Sequence, residues 1–333
     1  MKHYNIPIFV PHRGCPHTCV FCNQKEITGS GREMDAQEAD RIIRLHLATL
    51  PEGAHCEAAF FGGSFTGIPE AQQRSLLEVA AGWLRQGKLC GIRLSTRPDY
   101  ISERGLSLLK DYGVTAVELG VQSMHNEVLD KNERGHSPRD VEAAVGLLRR
   151  FGFETGLQMM TGMYGSTAEM DWETGLMLAH LAPDTMRIYP TVVLDRTRLA
   201  DLYREKRYTP PTLEETIVLC SRLYAMFQAR GIRVIRMGLQ ATDEVCEKGT
   251  LLAGPYHSAF GELVRSRLIR NELEQKAKNA KDTLVIPATP RTVSAIVGQK
   301  RENIRYLEEK YHIKVEVRVD KASAIPEEKG ESK

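Results

Sequence analysis

Three cysteines fall within eight residues, in the run Cys15-Pro16-His17-Thr18-Cys19-Val20-Phe21-Cys22. Thiolates at these offsets suit a soft iron site, and three of them leave the fourth iron of a cubane cluster open to an exogenous chelating ligand. The spacing is neither the CxxC pair of a structural zinc site nor the C-x2-C-x2-C run of a bacterial ferredoxin. A zinc site completed by His12 or His17 is the alternative that the residue types leave open. Phe21, between the last two thiolates, is either an apolar shield for a cluster or an anchor for the segment.

Other groups have the chemistry to surround a polar ligand. Gly62 and Gly63 permit close backbone approach, and Ser64 adds a hydroxyl. Arg97 suits a ligand carboxylate, or an ion pair with Asp99. Strand periodicity puts Glu118, Gly120 and Gln122 on one face, and Gly156, Gln158 and Met160 on one face of the next strand. Such an inner surface makes room for a polar ligand or forms a self-satisfied buried network. Arg187 and Tyr189 share a strand parity, and Tyr189 is a candidate substrate contact. Arg198, Arg204, Lys206 and Arg207 form either a phosphate-binding patch or a solvated face. His257, beside Tyr256, is a candidate proton donor or acceptor, with a structural loop histidine as the alternative. Cys56, Cys90 and Cys220 read as small hydrophobes, and Cys246 as a candidate redox partner.

These residues need a scaffold. Apolar runs at 6–11, 56–61, 91–95, 116–122, 155–160, 185–190 and 232–236 read as strands, separated by helical patterns near 33–50, 70–87, 102–112, 138–151, 167–181 and 212–230. That alternation predicts an α/β fold, a complete or partial parallel β/α barrel, with chemistry at the carboxyl ends of the strands. The domains expected are a barrel over 1–240, a connecting or covering segment and helix over 241–280, a small α+β domain over 281–320, and a polar tail over 321–333.

CxxxCxxC after a first strand resembles the hallmark of radical S-adenosylmethionine (SAM) enzymes. Within that superfamily the chain is most similar to the radical domain of the Elongator catalytic subunit and its prokaryotic relatives. The likeness rests on FFGGSFTGIP at 60–69, STRPDY at 95–100, VELGVQS at 117–123, TGLQMMTGMYG at 155–165, the segment 186–210 and the segment 237–268. It implies a [4Fe-4S] cluster on Cys15, Cys19 and Cys22, and S-adenosyl-L-methionine chelating the open iron. Reductive cleavage would then give a 5′-deoxyadenosyl radical that abstracts hydrogen from the substrate. The resemblance also implies cofactor contacts at Gly62, Gly63, Ser64, Arg97, Glu118, Gln122, Ser123 and Gln158, with Gln122 and Gln158 at the adenosine or ribose. The partners implied are a tRNA or other structured RNA and an electron donor such as ferredoxin or flavodoxin. The Elongator family pairs its radical domain with an acetyltransferase domain, for which this chain reads as too short. A small-molecule radical enzyme and an RNA-binding adaptor with a structural cluster are the alternatives.

Residues 284–319 resemble a K-homology RNA-binding core: strand, helix, GxxG loop, helix, strand. The loop is Gly298-Gln299-Lys300-Arg301, with Arg301 at the place of the second glycine. Residues 262–333 hold 16 Lys+Arg against 12 Asp+Glu, and Arg291, Arg305 and Lys314 extend the basic surface. The whole chain of 333 residues carries a net charge of only +2, so charge alone does not mark it as a nucleic-acid binder. The short apolar stretch at the start fits neither an export signal nor a membrane span, and seven cysteines with three packed together argue against a disulfide framework. A cytoplasmic protein is the expectation, with oligomeric state left open.

Overall fold

The computed structural model describes residues 3–10, 15, 19–22, 34–51, 53–239, 250–290 and 292–319. His12, His17, Cys246, Arg291 and the tail from 321 lie outside the described residues. The chain divides into two compact units, residues 1–216 with 226–258 and residues 217–225 with 259–333.

The larger unit is built on a seven-stranded sheet: β1 His3–Phe9, β2 His55–Phe61, β3 Gly91–Thr96, β4 Val114–Gln122, β5 Glu154–Thr161, β6 Thr185–Pro190 and β8 Arg233–Met237. Neighbours pair in chain order and every pair is parallel. Among the described residues no pairing joins β1 to β8, so the sheet forms a partial barrel. The outward side chains Ile6, Ile8, Phe60, Leu94, Leu119, Leu157 and Ile188 are buried, as a parallel sheet covered by helices requires.

The crossover helices are α1 Ala36–Thr49, α2 Glu70–Arg85, α3 Glu103–Asp111, α5 Pro138–Arg150 and α6 Ala168–His180, with a short α4 at Asn126–Lys131. Their starts are written in the sequence. Ser137 and Asp140 form a reciprocal capping box with Pro138 in the first turn of α5, while Asp35, Ser102 and Thr167 cap α1, α3 and α6 by accepting a backbone N–H. After β6 come β7 Val193–Leu194, α7 Arg198–Arg204 and α8 Leu213–Ala229, and β7 pairs antiparallel with β9 Leu251–Ala253.

Two readings of the sequence change, and one alternative is decided. The first strand begins at His3 because His3, Tyr4 and Asn5 pair with His55, Cys56 and Glu57, although none of the three is aliphatic. Cys56 and Cys220 are buried as expected, but Cys90 is exposed. The three arginines of the 198–207 patch are paired with carboxylates, Arg198 with Glu133, Arg204 with Asp195 and Asp201, and Arg207 with Glu205, which favours the solvated-face reading.

In the smaller unit, α9 Phe260–Ala277 is followed by β10 Thr283–Ala288, α10 Val293–Val297, α11 Glu302–Tyr311 and β11 Lys314–Val319. β10 and β11 pair parallel. Leu273 and Ala277 of α9 join Ile286, Ile296, Ile304, Leu307, Ile313 and Val315 in one apolar core, so the helix expected to connect domains is part of the small domain's interior.

Candidate active site

The described cysteines sit just past β1, near the carboxyl ends of the strands. Val20 anchors the segment: its N–H donates to the Asn132 carbonyl at 3.3 Å, and its own carbonyl accepts from Leu199 at 2.8 Å. Phe21 packs on Val193, Leu199, Leu202 and Tyr208, the arrangement of an anchor. The Cys22 N–H closes a turn on the Cys19 carbonyl at 2.9 Å.

Cys19 is buried, and the Arg134 guanidinium reaches it, with Nη1 3.1 Å from the sulfur. Arg134 also donates from Nη2 to the Gly120 carbonyl at the end of β4, and its own carbonyl accepts from Arg97 Nη2, both at 2.5 Å. Arg97, 3% exposed, gives Nε and Nη2 to Asp99. Cys15 is exposed as a residue, yet loss of solvation raises its thiol above the ordinary value, as does the neighbouring Cys19; Arg134, Arg97 and the Ser64 backbone act in the opposite direction. Cys15, Cys19, two guanidiniums and the glycine turn therefore share one electrostatic environment.

The turn after β2 carries Gly62 at φ +95°, a left-handed conformation that glycine adopts without strain, and both Gly62 and Gly63 are half-exposed. Ser64 is buried. Its hydroxyl bonds Thr96 Oγ1 at 2.8 Å and accepts the Arg97 N–H at 3.2 Å, so it holds the turn against β3 instead of offering itself to a ligand.

Below this layer the half-barrel is filled by charge. Glu118, 1% exposed, accepts from Arg187 Nε and Nη2 at 2.5 and 2.8 Å, from Arg93 Nη1 at 3.1 Å and from Gln158 Nε2 at 3.0 Å. Burial by itself would raise its pKa, but the charge and hydrogen bonds of Arg187, then Arg93, hold it below the usual carboxylate value. Arg93 continues to Glu57 at 2.6 Å and Glu154 at 3.4 Å. Arg187 lies over the Phe61 ring, and the Tyr189 hydroxyl is 3.5 Å from its Nη1. Glu118 and Gln158 are thus spent on each other and on arginines, the self-satisfied alternative, on the inner face of the sheet.

Gln122 differs. A register shift at the end of β4 and a φ of +70° release it from strand geometry, and its Oε1 is buried without a partner among the described residues. Arg97 Nη1 and Arg134 Nε are likewise buried and without partners among the described residues. Ser123 points elsewhere: it is buried, accepts from the His125 N–H at 3.2 Å and lies 3.4 Å from Thr174 of α6, on the helical side of the sheet. His257 is half-buried, between β9 and α9.

Soft thiols, two buried cationic groups with donors to spare and one idle carbonyl acceptor fit a thiolate-bound iron-sulfur cluster with a zwitterionic ligand beside it. The radical SAM superfamily profile matches residues 9–178, just over half of the chain.

The chain belongs to the radical SAM superfamily.

A radical SAM C-terminal domain profile matches residues 183–270. Among relatives of this radical SAM chain, the tRNA uridine(34) acetyltransferase of Methanocaldococcus jannaschii is 32% identical over 224 residues, 66% of this chain and 39% of that protein. The tRNA uridine(34) acetyltransferase of Dehalococcoides mccartyi is 28% identical over 59% of this chain and 50% of its own length, and human Elongator complex protein 3 is 27% identical over 65% and 48%. The chain spans half or less of these relatives' length. In fold it is similar to archaeal Methanocaldococcus infernus Elp3 with an N-terminal deletion, at a TM-score of 0.66 and 24% identity, over 81% of this chain and 63% of that one.

Arg134 is a site residue that sequence reasoning missed. It lies in the segment between α4 and α5, outside any motif, and only the folded chain brings it to Cys19. Glu57 and Arg93 were missed as well, although charged residues inside two otherwise apolar strand runs were a usable signal.

Proposed function

We propose that the chain is an RNA-modifying radical enzyme that acts on a tRNA base. The observation that carries this reading is the pairing of Arg134 with Cys19, beside Arg97 and Gln122, whose buried polar atoms await a ligand. Cys15, Cys19 and Cys22 would hold the iron. When bound and reduced, the cluster supplies the electron that cleaves SAM and opens hydrogen abstraction at an unactivated carbon. The protein does the rest. Arg134 offsets thiolate charge, Arg97 Nη1 offers a donor to a carboxylate, Gln122 Oε1 offers an acceptor to an amine or ribose hydroxyl, and Gly62 with Gly63 lets backbone approach the ligand. The Glu118–Arg187 pair keeps the inner face of the sheet neutral and holds Tyr189 beside it. His257 is a weaker candidate for proton transfer.

The tRNA substrate is supported by relatives named as tRNA uridine(34) acetyltransferases and by the small unit. There Gly298 leads into Lys300 and Arg301 at φ +47° and +63°. Arg301 adopts a left-handed conformation of the kind glycine takes without strain, and it and Lys300 stand at the start of α11, where backbone amides favour phosphate. We read this unit as K-homology-like, with Gly298, Gln299, Lys300 and Arg301 as its RNA contact. Ferredoxin or flavodoxin as reductant and a cytoplasmic site complete the reading; no helix among the described residues is long and apolar enough to cross a membrane.

The test is 5′-deoxyadenosine formation by anaerobically reconstituted, reduced protein, with and without small RNA from a strain lacking the gene, beside Cys19→Ala. Cysteine-dependent formation stimulated by RNA supports the proposal. Formation indifferent to RNA moves the substrate to a small molecule, and no formation from protein with an intact cluster leaves an RNA-binding adaptor.

A further inference from the structure

At the opposite end of the same sheet, His3, His55 and Cys90 place one ligand atom each within 4.8 Å of one another. The cluster is made by strand register. His3 opens β1 and pairs with His55, which opens β2; their rings lie 5.4 Å apart, tilted by 55°. Cys90 immediately precedes β3, held there by its N–H on the Cys56 carbonyl at 2.8 Å, and its thiol meets the same carbonyl at 3.0 Å. All three residues are exposed, so a dissolved ion reaches them without opening the fold.

We propose that His3, His55 and Cys90 form a second metal site, for a divalent ion of borderline softness such as zinc. Two imidazoles and a thiolate are a donor set that favours zinc over magnesium or calcium. In a tetrahedral site with the usual metal–nitrogen and metal–sulfur bonds, donors sit about 3.4–3.7 Å apart, so exposed side chains close the remaining gap by small rotations. His3 already has a carboxylate neighbour, its Nε2 3.1 Å from Glu57 Oε2, as the carboxylate–histidine–metal pattern requires of a ligand's second nitrogen. Glu57 is itself fixed by Arg93 at 2.6 Å and Thr115 at 3.2 Å. On binding, the Cys90 thiol gives its proton to solvent, the sulfur–metal bond replaces its contact with the Cys56 carbonyl, and water takes the fourth position. The ion ties the starts of β1, β2 and β3 together. β1 is an edge strand and leads directly into the cysteine segment, so its root is what the metal would fix.

The full chain carrying its reconstituted cluster, stripped of loosely held metal by a chelator, is titrated with zinc ion alone against a chromophoric chelator, and the zinc X-ray absorption edge is recorded. One zinc per chain with mixed nitrogen and sulfur ligands is expected, weakened by about tenfold or more in Cys90→Ser and in His55→Ala. Both variants change exposed side chains, and circular dichroism checks that each is folded. No stoichiometric zinc, or zinc held equally by the parent and both folded variants, overturns the proposal. Zinc that disappears only with Cys19→Ala overturns it too, since that metal would belong to the cluster cysteines.

Discussion

Arg134 brings a positive charge to within 3.1 Å of the Cys19 sulfur inside the protein, where charges act at low effective dielectric. Reduction of a cluster adds negative charge, so that guanidinium makes reduction easier. Arg134→Gln is expected to lower the midpoint potential of the reconstituted cluster, by about 60 mV for each 1.4 kcal/mol of attraction removed, as followed by a redox titration with electron paramagnetic resonance. His136 stands close by, with Nε2 3.1 Å from the Val121 carbonyl. Burial first, then the charges of Arg134 and Arg97, push its pKa down to about 4. A depressed histidine is protonated more readily in the unfolded chain, so its contribution to stability is complete above about 6.5 and is lost as pH falls towards about 4. Asp171 has the opposite sign: burial lifts it to about 6, and its contribution is lost as pH rises from 3.8 towards that value. The two partly cancel in the parent protein. Urea unfolding at pH 7.5 and pH 5 therefore has to be compared with His136→Gln, which is expected to lose less stability on acidification, by up to ~1.4 kcal/mol per pH unit.

Among the elements, β5 makes space for β4. Gly156 faces Glu118 in register, and a Cβ there would lie 2.8 Å from Glu118 Cγ and 2.9 Å from Thr185 Oγ1. Gly156→Ala is expected to destabilise the fold by roughly 1–3 kcal/mol in chemical denaturation, because the carboxylate cannot retreat without leaving Arg187. Much at this scale was legible. The helical patterns near 138–151, 167–181 and 212–230 are helices capped by Ser137, Thr167 and Thr212, and the apolar runs located the parallel strands within a few residues. Strand parity also placed Glu118, Gln158 and Arg187 on one side of the sheet, where their hydrogen bonds confirm them. What parity cannot express is a break in itself: a register shift precedes Gln122, which takes a φ of +70° at the end of β4. Nor does periodicity along one strand reveal which of several inward charges find each other. Arg93 reaches Glu57, Glu118 and Glu154 on three different strands, an arrangement that exists only after the sheet has curled.

For the whole molecule, the proposal divides labour between two units, and each half is separately testable. Lys300→Glu with Arg301→Glu reverses charge on two exposed side chains of the small unit. Weaker tRNA binding is expected, with the slope of log affinity against log salt reduced by roughly 1 for each phosphate no longer neutralised, and unchanged thermal unfolding as the check on folding. The half-barrel interior carries a different consequence. Glu57, Glu118 and Glu154 are balanced by Arg93, Arg187 and Arg233, and the six side chains form one connected set. Removing one member of such a set leaves its partner's charge uncompensated. A lineage that replaces Glu118 by a neutral residue strands the Arg187 charge, so the surviving descendants should be those in which a second member of the set has changed as well, and drift in this family should move through the inner face of the sheet in pairs.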